Sequence, residues 1–420
     1  MSQKFHFSTA LSLAVCVSMA AAVSLGMTRF AYALLLPPMR EDLSWTYTLA
    51  GGMNTFNAIG YLLGALITPW LLRRWGAVNV LLFGALLAAG LMAITGFLTG
   101  ASALLFQRLF AGLISAAVFV SGGLLTARLG IHWPSQSGLL LGIYYGGTGW
   151  GIVLSALLVP VALTHAQNAA FVHPWAWAWW SLGGVCLLLT VLMVTLRKQM
   201  YQWMPELIES TSTLNVASEQ GPNGNPSSTS SSYYGPCLQW TAGLIGYGLF
   251  GVGYIGYMTF VVALLAEQGA TTVEITWFYA MLGLAVVASS RIWAKLLNRY
   301  RGGQALAILT ALLSVATVLP AVASAWPIMV FSGLLFGAVF LSVVASTTAM
   351  VKHNLPASQW ATGISVFTVV FAIGQIVGPT VVGWIADGPG GLQRGLVFSA
   401  AALLLGAFVA WQQQPLEKIS

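Results

Sequence analysis

Three arginines stand inside long apolar stretches of this sequence, at positions 29, 108 and 291. A cationic side chain near the centre of a membrane helix costs roughly 2.5–3.5 kcal/mol, so it must face protein or a water-filled cavity rather than lipid. Counted inward from Pro37, Arg29 lies about 12 Å below the end of its stretch, and Arg108 about 9 Å below the corresponding end of its own, at 1.5 Å per residue. Arg291 is close enough to an end to snorkel. None of the nine carboxylates is deep enough to pair with the first two. Glu41, Asp42, Glu267, Glu274 and Asp387 fall at stretch ends, and Glu206, Glu209, Glu219 and Glu417 in a linker or tail. Two buried cations without buried anions leave positive potential that an anionic small molecule would offset through charge-assisted contacts. Arg29 is therefore a candidate substrate-binding residue, with Arg108 aiding it. For Arg108 a second reading stays open: a brace bonded to backbone carbonyls of a broken neighbouring helix.

Composition fixes the elements that must hold these groups. Of 420 residues, 58% are hydrophobic and only 6% charged, and the mean hydropathy is +0.84. A soluble core of this size needs a charged shell that such a chain cannot supply, which excludes a water-soluble enzyme. Apolar stretches cover 9–38, 48–72, 78–98, 103–127, 138–163, 177–196, 238–266, 273–297, 304–324, 327–351, 360–386 and 395–411. These are long enough for twelve membrane-spanning helices and too long for barrel strands of about ten residues. The apolar pattern from Thr9 runs on to Pro37 as a full span rather than a cleavable leader. With both termini cytoplasmic, eleven basic residues fall on the inner side, against Arg40 and Arg394 outside, and this bias sets the orientation. Trp45, Trp70, Trp75, Trp133, Trp326 and the group Trp175, Trp177, Trp179 and Trp180 fall at span ends, where indole favours lipid headgroups.

Residues 197–237 interrupt the spans, with the central run GPNGNPSSTSSS, and read as a flexible cytoplasmic linker. A six-helix bundle over 1–196 and a second over 238–420 follow. A shift of 225 residues superposes Gly26 on Gly251, Tyr32 on Tyr257, Arg74 on Arg299, Phe106 on Phe331, Gly112 on Gly337 and Gly149 on Gly374. One offset serving four helices indicates a duplicated unit, the parallel repeat of two-bundle transporters.

Three short motifs carry a family resemblance. Pro69 to Gly76, containing Leu71, Arg73 and Arg74, has the spacing of the G-x-L-x-D-R-x-G loop of the major facilitator superfamily. Arg108 and Gly112 match its R-x-x-x-G helix motif. Gly374, Gln375, Gly378, Pro379 and Gly383 resemble its glycine-proline signature in span eleven. The first helix, with Arg29-Phe-Ala-Tyr32 and Leu36-Pro-Pro-Met39, looks like the YbfB/YjiJ-like branch. The resemblance implies an all-α integral membrane fold of twelve transmembrane helices in two pseudo-symmetric six-helix bundles, with helices one, four, seven and ten around a central cavity. Arg73 occupies the loop's acidic position, whose carboxylate in the superfamily belongs to a charge relay at the inner gate. Without analogy, Arg73, Arg74 and Arg299 suit helix C-termini and anionic headgroups, and Gly76 permits a tight reversal.

In the second half, Tyr254 stands where the repeat has Arg29. Tyr247, Tyr254 and Tyr257 share one helix face, so Tyr254 and Tyr257, with Tyr32, are candidate hydrogen-bonding walls, although such a stripe also suits packing. Asn54 and Asn57 fit hydrogen bonding between helices. The run Gly246-Tyr-Gly248-Leu-Phe-Gly251 matches a dinucleotide fingerprint but follows no strand, so its glycines read as packing residues. Cys16, Cys186 and Cys237 have no metal-ligand or disulfide spacing, and the scattered basic residues give no nucleic-acid signature. The expectation is a secondary active transporter of a small solute, most naturally an organic anion, working by alternating access. It is expected to be a monomer without cofactor or metal, multi-pass in a bacterial cytoplasmic membrane. Proton-driven efflux of amphipathic compounds is the alternative.

Overall fold

The computed structural model describes residues 7–204, 239–356 and 359–416, and within them every regular element is a helix. Twelve helices are long and apolar enough to cross a membrane. In chain order they are α1 Phe7–Asp42, α2 Tyr47–Trp75, α3 Ala77–Thr95, α4 Ala101–Ile131, α5 Ser137–Asn168, α6 Pro174–Thr195, α7 Thr241–Glu267, α8 Thr272–Ile292, α9 Gln304–Val322, α10 Trp326–Asn354, α11 Trp360–Ala386 and α12 Gly391–Trp411. A short helix, Arg197–Trp203, follows α6 and opens the stretch read as linker; residues 205–237 of that stretch lie outside the described residues. The spans agree with the apolar pattern, and α1 runs four residues beyond its expected end, with Pro37 and Pro38 inside it. A proline near a helix end forfeits a backbone bond that membrane helices recover from their neighbours. Leu66, Phe97, Trp384 and Phe408 are among many large apolar side chains left open around the perimeter, which only lipid can cover at this density.

Within each half the helices meet where side chains vanish. A Cβ added to Gly112 of α4 would lie 2.0 Å from the Asn57 carbonyl oxygen on α2, and one on Gly337 of α10 would lie 2.3 Å from the Leu282 carbonyl oxygen on α8. The 225-residue offset thus repeats one packing geometry, α4 on α2 and α10 on α8. Gly76 ends α2 at φ 75°, in the left-handed region, and reverses the chain into α3 within one residue.

Across the halves, α2 packs on α11 and α5 on α8. The Tyr47 carbonyl oxygen lies against Gly383 and the Gly283 carbonyl oxygen against Gly149, at 2.2 and 2.4 Å from where a Cβ would stand. Arg73, Arg74, Arg128, Lys198, Arg299 and Lys352 gather at one end of the assembly, here called the basic end. The opposite end is closed by polar contacts. Asp387, just past α11, accepts from the Tyr47 backbone amide at 2.6 Å, the Thr48 amide at 2.8 Å and the Thr48 hydroxyl at 2.6 Å. It therefore satisfies N–H groups that the first turn of α2 leaves free. The Tyr47 hydroxyl donates to Glu267 at the end of α7, and the Arg40 guanidinium lies 3.8 Å over the Tyr47 ring. The tryptophan group after α5 departs from expectation. Trp175 and Trp179 are fully buried, because Trp175 donates to Asp42 at 2.5 Å and Trp179 to the Met39 sulfur at 3.3 Å. They anchor α6 to the end of α1 rather than to headgroups.

Two outcomes follow from these contacts. Gly112→Ala forces a methyl into the Asn57 backbone, and overpacking of this kind costs about 1–3 kcal/mol. The variant should unfold at a lower temperature in detergent, whereas Gly90→Ala, with open space around its Cβ, should not. Burial alone would push the Asp387 carboxyl up, but its bonds from Thr48 and Tyr47 and the Arg40 charge outweigh this and hold it below its ordinary value of 3.8. A depressed carboxylate stabilises the fold above its unfolded-state value and loses that contribution as pH falls through the folded one. The difference in thermal midpoint between wild type and Asp387→Asn should accordingly stay flat from pH 8 to 5 and shrink only below about pH 4.

Candidate functional site

The candidate site begins with an irregularity in α1. Residues Ala22–Phe30 wind as a π-helix, a form that concentrates at functional sites. The Thr28 hydroxyl bonds to the Val23 carbonyl five residues back at 2.7 Å. Arg29 is the next residue, 5% exposed, and its Nη2 donates to Oε1 of Gln375 on α11. The same oxygen accepts from the Tyr254 hydroxyl of α7 at 2.8 Å. The Arg29 guanidinium also lies 5.3 Å from the centre of the Tyr61 ring on α2. A buried cation is thus held by one neutral amide and an aromatic face, contacts that attract it without cancelling its charge. Among the described residues no arginine or lysine lies within ion-pair distance of a carboxylate; the one close contact of that kind joins His173 and Asp42 at 2.6 Å, and neither contacts Arg29.

Arg108 is placed differently. It is fully buried on α4, donating from Nη1 to the Thr28 carbonyl at 2.9 Å and from Nη2 to Oδ1 of Asn54 at 3.0 Å. Its guanidinium stands 4.8 Å over the Tyr32 ring, and Tyr32 donates to the Ala50 carbonyl at 2.9 Å. Asn54 in turn donates to Thr259 of α7 at 2.8 Å, and Asn57 to the Arg108 carbonyl at 3.1 Å. Arg108 therefore braces the π-helical stretch from below, and the asparagines tie it to α2 and to the second half.

Of the candidate residues, Arg29 and Tyr254 meet on Gln375, while Tyr32 and Arg108 form an adjoining pair. Tyr257 turns elsewhere: its hydroxyl pairs with Ser332 at 2.7 Å, Ser332 bonds onward to the Ala316 carbonyl, and its ring stacks on Phe336 at 4.0 Å. That is packing inside the second half. Gly374 and Gly378 face the Gly248 and Val252 carbonyls, and the Pro379 carbonyl faces Gly51, so the glycine-proline signature is a seam where α11 meets α7 and α2. Arg74 stacks on Trp70 and Arg299 on Tyr300, at 5.9 and 5.7 Å. Arg73 is exposed at the basic end.

Sequence reasoning missed Gln375, Tyr61 and Phe371. The ring of Phe371 stacks on Phe250 and Tyr254 at 5.3 and 5.5 Å, forming the aromatic wall beside the amide. Gln375 was visible as a polar residue deep in an apolar span, but it stood inside the glycine-proline signature, which assigns it no role of its own.

The all-helical fold agrees with the comparisons. Residues 21–411 match the family model described as “Uncharacterised MFS-type transporter YbfB”. The chain belongs to this family. A “Putative tartrate transporter” of Agrobacterium vitis is 22% identical over 386 residues, covering 88% of this chain and 83% of that protein. The crystal structure of the nucleoside transporter NupG is similar at a TM-score of 0.67 and 13% identity, covering 97% of this chain and 100% of that one. A bacterial homologue of the human lysosomal transporter Spinster, inward-facing and unoccupied, gives 0.66 at 13% identity over 98% and 99% of the two chains. The fold is that of the major facilitator superfamily, and the chain is a multi-pass membrane transporter rather than an enzyme.

The two roles of Arg108 separate by measurement. Arg108→Leu strands the Thr28 carbonyl and the Asn54 amide oxygen, each at about 1–3 kcal/mol, so its thermal midpoint should fall at least twice as far as that of Arg29→Gln. An undiminished midpoint with lost uptake would assign Arg108 to the ligand instead.

Proposed function

We propose that this transporter is a secondary active carrier of a small organic anion, with Arg29 as the primary binding group. The observation that carries the reading is the buried Arg29 guanidinium held by the neutral amide of Gln375, with no carboxylate in contact among the described residues. An incoming carboxylate replaces a neutral acceptor with a charged one, and hydrogen bonds to charged groups contribute about 1.5–3 kcal/mol against about 1 for neutral ones. The Tyr254 hydroxyl and the Phe371 and Tyr61 rings lie beside this contact and would complete the binding site, and Arg108 holds the α1 backbone that presents Arg29. The putative tartrate transporter of Agrobacterium vitis, 22% identical, supports the anionic class, tartrate being a dianion.

The same contacts supply a working cycle. Arg29 belongs to the first six helices, and Gln375 and Tyr254 to the last six. A cargo that takes Arg29 from Gln375 cuts a bond between the halves, freeing residues 1–196 to rock as a unit against 238–420 about the midplane. The basic end faces the cytoplasm of a bacterial cell and the Asp387 end faces outward, following the charge bias. The carrier acts as a monomer, since each copy contains both halves of the site.

Purified protein in liposomes should show saturable uptake and counterflow of tartrate or a related hydroxy-dicarboxylate. Arg29→Gln should lower uptake roughly ten- to a hundredfold, as the loss of a charged hydrogen bond implies. Gln375→Glu should do the same by giving Arg29 an internal counter-anion, with thermal stability retained. Uptake at the wild-type rate in both variants would overturn the assignment.

A further inference from the structure

A second polar and apolar juxtaposition lies far from Arg29, on the perimeter of the first half. Between α3 and α6 a groove of about 870 Å³ opens at the basic end, lined by Arg74, Asn79, Phe83, Leu187, Val191 and Arg197 among others. That volume is within the roughly 300–1,000 Å³ of ligand sites. Its walls are apolar and open to the perimeter: Phe83, Leu187 and Val191 are all exposed. Its mouth is cationic, and neither Arg74 nor Arg197 has a carboxylate partner among the described residues.

The mouth is also built. Asn79 donates to the Trp75 carbonyl at 2.9 Å and accepts on Oδ1 from Arg197 Nη2 at 3.0 Å and the Tyr201 hydroxyl at 2.7 Å. One amide thus fastens the start of α3 to the short helix after α6 and fixes Arg197 at the rim. Arg74, which also lines the groove, is steadied by the Trp70 ring at 5.9 Å. Neither arrangement uses all the donors of a guanidinium, which presents five in a planar fork suited to phosphate oxygens. From Arg197 down α6 to Leu187 is ten residues, about 15 Å along the helix, or half of a hydrocarbon core about 30 Å thick. The groove has the depth of one leaflet.

We propose that this groove binds an anionic glycerophospholipid of the leaflet at the basic end, its phosphate held by Arg74 and Arg197 and an acyl chain laid between α3 and α6. A zwitterionic lipid brings no net charge to offset the two arginines, and a free phosphate leaves the apolar walls uncovered, so both halves of the groove select the same molecule.

Delipidated full-length protein in detergent, titrated with phosphatidylglycerol and read by native mass spectrometry, tests this. Wild type should retain phosphatidylglycerol at least fivefold over phosphatidylcholine. The double variant Arg74→Gln, Arg197→Gln should lose at least fivefold of that retention, and Arg74→Lys, Arg197→Lys should recover most of it. Val191→Trp, which fills the groove and leaves the charge untouched, should lose it as well. Equal retention of phosphatidylcholine, undiminished binding by the glutamine variant or by Val191→Trp, or displacement of the lipid by equimolar inorganic phosphate would each overturn the proposal.

Discussion

A guanidinium cannot be discharged at any physiological pH, so burying one in a membrane protein obliges the surrounding structure to solvate it. Much of the central architecture answers that obligation twice, in two different ways. Arg108 receives a backbone carbonyl, an asparagine oxygen and a tyrosine face, all from the first six helices, while its Nε is buried without a partner. Arg29 receives one shared amide oxygen and an aromatic face. The first arrangement is what a structural cation needs. The second leaves positive potential in place, because an amide shared with Tyr254 attracts a cation less strongly than a carboxylate does.

The π-helical stretch links the two. It ends directly before Ala31, and its Thr28 carbonyl accepts from Arg108 while the next residue carries the side chain that meets the other half of the protein. Backbone irregularity at membrane depth is tolerated only where protein or a cavity satisfies the displaced groups. Arg108 supplies that satisfaction, so the residue in the family helix motif stabilises the presentation of its neighbour three positions before Tyr32. Around this centre the halves touch through glycine seams on α2, α5, α8 and α11. Such seams bring backbones close without interlocking long side chains, so sliding there disturbs little packing. The Asp387 and Glu267 contacts at the opposite end are polar and few, a combination suited to breaking and remaking.

The sequence was most legible where lipid sets the rules. Span number and placement followed from hydropathy because no water is present to satisfy backbone groups, and the 225-residue offset appeared in space as the matched seats of Gly112 and Gly337. Arg29 stood out because charge in an apolar run is costly wherever it falls. What sequence could not supply was orientation around each helix axis. Tyr254 and Tyr257 are three residues apart and equally polar, yet one reaches Gln375 and the other Ser332. Trp175 and Trp179 obeyed the interfacial rule in position but turned inward, because Asp42 and Met39 offered partners there. Gln375 was concealed by its neighbours: inside the glycine-proline signature it reads only as part of the motif, which assigns its amide no role.

The sharing of one oxygen by Arg29 and Tyr254 has a consequence for coupling. A second site can influence the first only through a bond that differs between two states, and this hydrogen bond joins different halves at the point where cargo would bind. If a carboxylate takes Arg29, Gln375 keeps Tyr254 as its donor, so no buried acceptor is orphaned and the exchange avoids the penalty of about 1–3 kcal/mol that an unpartnered group would impose. Cargo binding and loss of the cross-half bond are then a single event. In the structure the same oxygen holds Arg29 to α11, so the guanidinium is not left without an acceptor. On the proposed reading the amide serves as a weak internal substitute for substrate: strong enough to solvate the charge, and weak enough to be displaced by an anion.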